Sequence, residues 1–132
     1  MSQENVDVVL RAIEAFNRHD VAAAHNSTLL DAETDWSRSS GVEAGVYHGR
    51  AATMQFWETF FEAFDRVVVT PEQVIDHGDT VVVLAHSHLS GRDGIEVETT
   101  NTIVVILRGG RIARWTLYND HAEALKAAGL DG

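Results

Sequence analysis

The stretch IEVETTNTIVVILRGGRIARWTLYND, residues 95–120, decides how the chain folds. Two runs rich in β-branched and aromatic residues flank Gly109-Gly110, a pair suited to the positive φ angles of a tight hairpin turn. In the first run one parity carries Ile95, Val97, Thr99, Asn101, Ile103, Val105 and Leu107, and the other is led by Glu96, Glu98 and Thr100. Side chains alternate between the faces of a strand, so the first set is expected to face a core. Thr99 and Asn101 then point into an apolar interior and need partners. Either a water or ligand in an internal pocket supplies them, or a neighbouring loop or helix end does.

Upstream, RVVVTPEQVIDH (66–77) and TVVVLAHSHLS (80–90) have the same character, with His77-Gly78-Asp79 and Gly91-Arg92-Asp93-Gly94 as turn chemistry between the runs. Four consecutive antiparallel strands are expected. Pro71, the only proline, cannot donate to a ladder, which predicts an edge position or a bulge. His86 and His88 share a face whose opposite parity is the more consistently apolar, so they are expected to point outward, either solvated or in a subunit interface; the alternative is a metal or pocket role.

Before residue 65 the period is helical. Val6, Val9, Leu10, Ile13 and Phe16 form one stripe, and Asp20 suits the start of a short helix from Val21 to about Thr28, ending on Leu29 and Leu30 before the polar stretch Asp31–Ser40. Arg50 to Phe64 carries Met54, Trp57, Phe60, Phe61 and Phe64, an aromatic stripe that must be covered. Helices first and strands afterwards predict a single α+β domain over residues 1–132, with three N-terminal helices on one face of a curved antiparallel sheet.

The last strand raises a question of direction. Ala113, Trp115, Leu117 and Asn119 form its apolar parity, and Arg114, Thr116, Tyr118 and Asp120 the polar one, so strict alternation sends Asp120 away from the core. A bulge, or the turn into the next helix, would reverse this. Asp120 followed by Glu123 also has the spacing of a capping box for a short C-terminal helix, which accounts for it without chemistry. On the outer face Val82, Leu84, Val104 and Ile106 leave apolar area, and a homodimer through the sheet is expected to cover it.

Composition narrows the partners. Twenty acidic against ten basic residues give a formal charge of −10, which repels phosphate backbones and anionic lipid, so neither nucleic acid nor membrane is expected. The start MSQENVDVVL lacks the cationic and apolar regions of a signal peptide, and the absence of Cys leaves no disulfide framework, thiol nucleophile or thiolate metal site; a cytoplasmic chain is expected. No phosphate loop, nucleophile elbow or dinucleotide fingerprint is present, and no cofactor or metal is expected.

Several motifs in register, AFNRHDVAA (15–23), ETDW (33–36), GVYHGRAAT (45–53) with FWETFFEAF behind it, VIDHGDTVVVLAH (74–86) and LRGGRIARWTLYND (107–120), resemble the SnoaL-like polyketide cyclases. These belong to the larger group related to nuclear transport factor 2 and ketosteroid isomerase. The resemblance implies a cone-shaped α+β barrel around an apolar pocket, often dimeric. It also implies a carboxylate acid/base at the end of the last strand, where the register puts Asp120, and a pocket-lining role for Trp36. Leu117 stands where many relatives hold a Glu. Trp57, Tyr47, Thr99, Asn101 and Tyr118 complete the expected lining. If Asp120 faces a dry cavity, it is a general base beside a carbonyl, with Asn101, Tyr47 or an imidazole as oxyanion donor. The expected function is cofactor-free cyclase, isomerase or dehydratase chemistry on a small apolar molecule. The alternative is a binding or dimerisation module of the same fold, in which Asp120 is only a cap.

Overall fold

The computed structural model describes residues 2–37, 45–91 and 94–130; side-chain detail begins at residue 3. Helix α1 (Ser2–Asn17) buries Val6, Val9, Ile13 and Phe16, the stripe expected from their spacing. It stops at His19, which takes the left-handed conformation at φ 57° and lets Asp20 N donate back to Ala15 O at 2.8 Å. Asp20 then caps α2 (Val21–Asn26) by accepting from Ala23 N at 3.1 Å.

Helix α2 is shorter than expected, because Leu29 and Leu30 belong to a strand, β1 (Thr28–Asp35). The inward side chains of β1 are Thr28, Ala32 and Thr34, small or polar, so no hydrophobic alternation announced it. What holds β1 is pairing with remote partners: it runs antiparallel to β2 (Val46–His48) and parallel to the last strand. Thr34 Oγ1 also lies 3.3 Å from Thr53 Oγ1 on α3 (Arg50–Ala63).

The remaining strands are β3 (Phe64–His77), β4 (Thr80–Gly91), β5 (Glu96–Arg108) and β6 (Arg111–Tyr118), followed by α4 (His121–Ala127). These four strands form three successive antiparallel pairs, as the turn spacing predicts. Residues 92 and 93 of the expected β4–β5 turn lie outside the described residues. Sheet order is β2-β1-β6-β5-β4-β3, so the fold is α+β with a six-stranded sheet that is mixed through the β1–β6 pair and not closed. Pro71 satisfies both of its expectations: β3 is an edge strand, and the register shifts between Pro71 and Gln73. Gly109 and Gly110, at φ 61° and 77°, make the β5–β6 turn.

Three apolar clusters hold the layers. Helix α1 packs on Val81, Val83, Ala85, Ile103 and Val105 of the inner sheet face, and α3 brings Phe56, Trp57 and Phe60 against Phe16 and Val67. Each such valine or larger side chain contributes about 1.5–3 kcal/mol by leaving water. The third cluster lies on the outer face, where α4 lays Ala124, Leu125 and Ala128 over Ile75, Val82, Val104 and Tyr118. Helices therefore occupy both faces. Val82 and Val104, which sequence reasoning left for a second subunit, are covered by the chain's own C-terminal helix.

Candidate functional site

Between the inner face of the sheet and helices α1 and α3 lies a cavity of about 330 Å³. Ile13 and Phe16 reach it from α1, Trp57 and Phe60 from α3, and Trp36 from the segment after β1; Phe64, Val69, Leu89, Val97, Ile103, Trp115 and Leu117 complete the apolar wall. All three tryptophans of the chain are among these residues. Their rings are braced: Phe16 meets Trp57 edge-on at 4.8 Å, Trp57 meets Trp115 at 6.2 Å, and Trp36 meets Phe60 at 6.2 Å. Contacts of this kind fix ring orientation and brace the cavity wall.

Among the described residues its polar lining is Ser87, Thr99, Asn101 and Asn119. The pairings Ser87 with Thr99 and Ala85 with Asn101 set the first three in adjacent rows of β4 and β5. Asn101 Nδ2 donates to Asn119 Oδ1 at 2.9 Å. Burial grades along these strands. Ile103, Trp115 and Leu117 are buried, whereas Val97 is 38% exposed and Asn119 is exposed. The cavity is apolar where Ile103, Trp115 and Leu117 bury it; the polar side chains lie nearer solvent, with Leu89 and Val97 in the row beyond Ser87 and Thr99. Among the described residues no ionisable side chain lines it.

Of the residues singled out from the sequence, the structure brings Trp36, Trp57, Thr99 and Asn101 together around this cavity. Tyr47 and Tyr118 are not among the lining residues. Tyr47 packs on Phe56 at 4.7 Å, and Tyr118, on the outer parity with Thr116 and Arg114, joins the cluster under α4. Asp120 is exposed at the N-terminus of α4, where its carboxylate accepts from Ala122 N at 2.9 Å. The only register shift between β5 and β6 lies between Ile106 and Leu107, so alternation runs undisturbed to the end of β6. It is Asn119 that turns inward. Asn119 was readable, since it shares the parity of Trp115 and Leu117, but no motif drew attention to it. Ile13, Phe16, Phe60 and Phe64 carry only the signal of core positions.

The outer face holds the charged groups. His86 Nε2 lies 2.8 Å from Glu98 Oε1, and His88 Nε2 3.3 Å from Glu96 Oε1, so both histidines point away from the cavity. Arg114 bonds Glu33 and, at 3.2 Å, Asp35. Among the described residues no group of three or more His, Cys, Asp or Glu side chains is placed to hold a metal ion. Nor is any described helix long and apolar enough to cross a membrane.

The SnoaL-like domain family matches residues 9–115, most of the chain, ending within β6 before the cavity residues Leu117 and Asn119. The chain belongs to the SnoaL-like family. Solved structures agree on the fold. An NTF2-like protein of unknown function from Burkholderia pseudomallei superposes with a TM-score of 0.78 at 21% identity, over 93% of this chain and 95% of that one. A putative SnoaL-like polyketide cyclase from Jannaschia gives 0.76 at 19% identity, over 98% and 94% of the two chains. TerC, co-crystallised with polyporic acid, gives 0.77 at 18% identity, over 96% and 97%. Among curated proteins this SnoaL-like chain finds no match.

Proposed function

We propose that the cavity of this SnoaL-like protein is the binding site for a small, mainly apolar molecule, and that Asp120 serves as a helix cap. The observation that carries this reading is the lining itself: braced aromatic and aliphatic side chains around about 330 Å³, with one cluster of neutral polar groups among the described lining residues. That size lies at the lower end of small-molecule sites, roughly 300–1,000 Å³, and suits a compact ring system. Supporting binding over proton transfer is the position of the carboxylate, which is exposed and hydrogen-bonded to the α4 backbone. A general base must reach the proton it removes, directly or through one water.

Because all three tryptophans line the cavity, their indole N–H signals in heteronuclear NMR report occupancy. Apolar ketones and lactones are expected to shift these signals equally in the wild type and in Asp120→Asn, without being converted. Conversion in the wild type that disappears in a folded Asp120→Asn would replace this reading with an acid–base enzyme.

A further inference from the structure

The four polar side chains among the described lining residues are all neutral, and they sit together on the more exposed side of the buried wall of Ile103, Trp115 and Leu117, with Leu89 and Val97 beyond them. Ser87 and Thr99 face each other across β4 and β5, Asn101 follows Thr99 on the same face, and Asn119 is bonded to Asn101. An asparagine amide has two donors and a two-lone-pair acceptor, and the 2.9 Å bond from Asn101 Nδ2 to Asn119 Oδ1 uses one of those donors. Among the described residues nothing else bonds the other donor or the Oδ1 acceptor of Asn101, which leaves both for a ligand. The deeper walls, Trp57, Ile103, Trp115 and Leu117, offer no charge to a guest.

From this arrangement we infer that the cavity selects an uncharged amphiphile, bound with its apolar body inward and one neutral polar group, such as a ketone, hydroxyl or carboxamide, against Asn101. This rests on the cavity being the binding site. Asn101 is the residue that determines specificity, with Thr99 and Ser87 beside it. A carboxylate head would give up hydration where no described lining residue carries a positive charge, on a chain of formal charge −10. An ammonium head would find no carboxylate among the described lining residues either.

The test uses four probes with similar phenylalkyl bodies: benzylacetone (neutral ketone), butylbenzene (no polar group), phenylbutyrate (anion) and phenylbutylamine (cation at neutral pH). Each is titrated into the full chain, with the tryptophan indole signals as readout. Benzylacetone is expected to bind about tenfold more tightly than the other three, the scale of one well-made hydrogen bond. In Asn101→Leu that margin over butylbenzene is expected to vanish while butylbenzene still binds. Ser87→Ala, which leaves the amide pair in place, is expected to reduce it by a smaller factor and keeps the test open should Asn101→Leu fail to fold. Equal binding of the ketone and the hydrocarbon overturns the inference, as does tighter binding of either charged probe, and both leave the cavity as the binding site. If no probe shifts any indole signal, the cavity reading itself falls and the inference falls with it.

Discussion

At Asp120 one oxygen decides between two roles. Its Oδ1 accepts from Ala122 N at 2.9 Å, which satisfies one of the N–H groups that the first turn of α4 leaves without a helical partner. Asn caps as well as Asp, and Ala does not. Asp120→Asn is therefore expected to leave stability within about 0.5 kcal/mol of wild type, and Asp120→Ala to lower it by about 1 kcal/mol, both measured by urea unfolding. An Asp120→Ala protein as stable as the wild type would show that the cap does not hold α4. Residue-level reading went furthest where alternation was taken literally: the parity of Trp115 and Leu117 carries Asn119 to the cavity and Asp120 away from it. The register of the family motif pointed one residue further along. A shift of one position reverses the face of a strand, so motif register alone is a weak guide to direction there.

At the scale of elements, Asn17 ties the edge strand β3 to α1 through both ends of its side-chain amide. Asn17 Nδ2 donates to Val69 O at 3.0 Å, and Val69 N donates to Asn17 Oδ1 at 2.7 Å, so one amide serves a backbone segment next to the Pro71 bulge. Phe16 and Val69 both line the cavity, which makes this clamp part of its wall. Asn17→Ala is expected to cost about 1–3 kcal/mol and to speed amide exchange at Val69, while strands on the far side of the sheet keep their protection. Unchanged exchange at Val69 would mean that packing alone holds the corner. The sequence shows the Pro71 irregularity, the four-strand order and the aromatic stripe of α3, because each is written in local pattern. It does not show β1, whose inward residues are Thr28, Ala32 and Thr34 and whose neighbour, β6, is some eighty residues away in the register of Glu33 with Arg114. A parallel pairing of that kind has no local signature.

For the whole molecule, the outer face of the sheet divides into two unlike halves. Toward β1 and β6 it is charged, with Arg114 between Glu33 and Asp35 and Arg108 bonded to both oxygens of Asp31. Toward β3 and β4 it is mixed: α4 covers an apolar patch of Ile75, Val82 and Val104 and leaves Ile106 40% exposed, while His86 and His88 face Glu98 and Glu96 farther along β4 and β5. The capping residues of α4 were legible and its docking was not, since only the assembled sheet shows that Ile75, Val82 and Val104 form the surface beneath it. Ala124 is fully buried at the centre of that contact. Ala124→Glu forces a carboxylate into an apolar seam, and the cheapest response is for α4 to leave the sheet. The variant is expected to lose about 2 kcal/mol or more of stability and, with Val82, Val104 and Tyr118 uncovered, to sediment as larger species than the wild type as concentration rises. The indole signals of the three tryptophans are expected to keep their positions, because the cavity lies on the other side of the sheet. Loss of those signals together with α4 would show that the two faces form one cooperative unit; unchanged sedimentation would show that the uncovered face does not drive association.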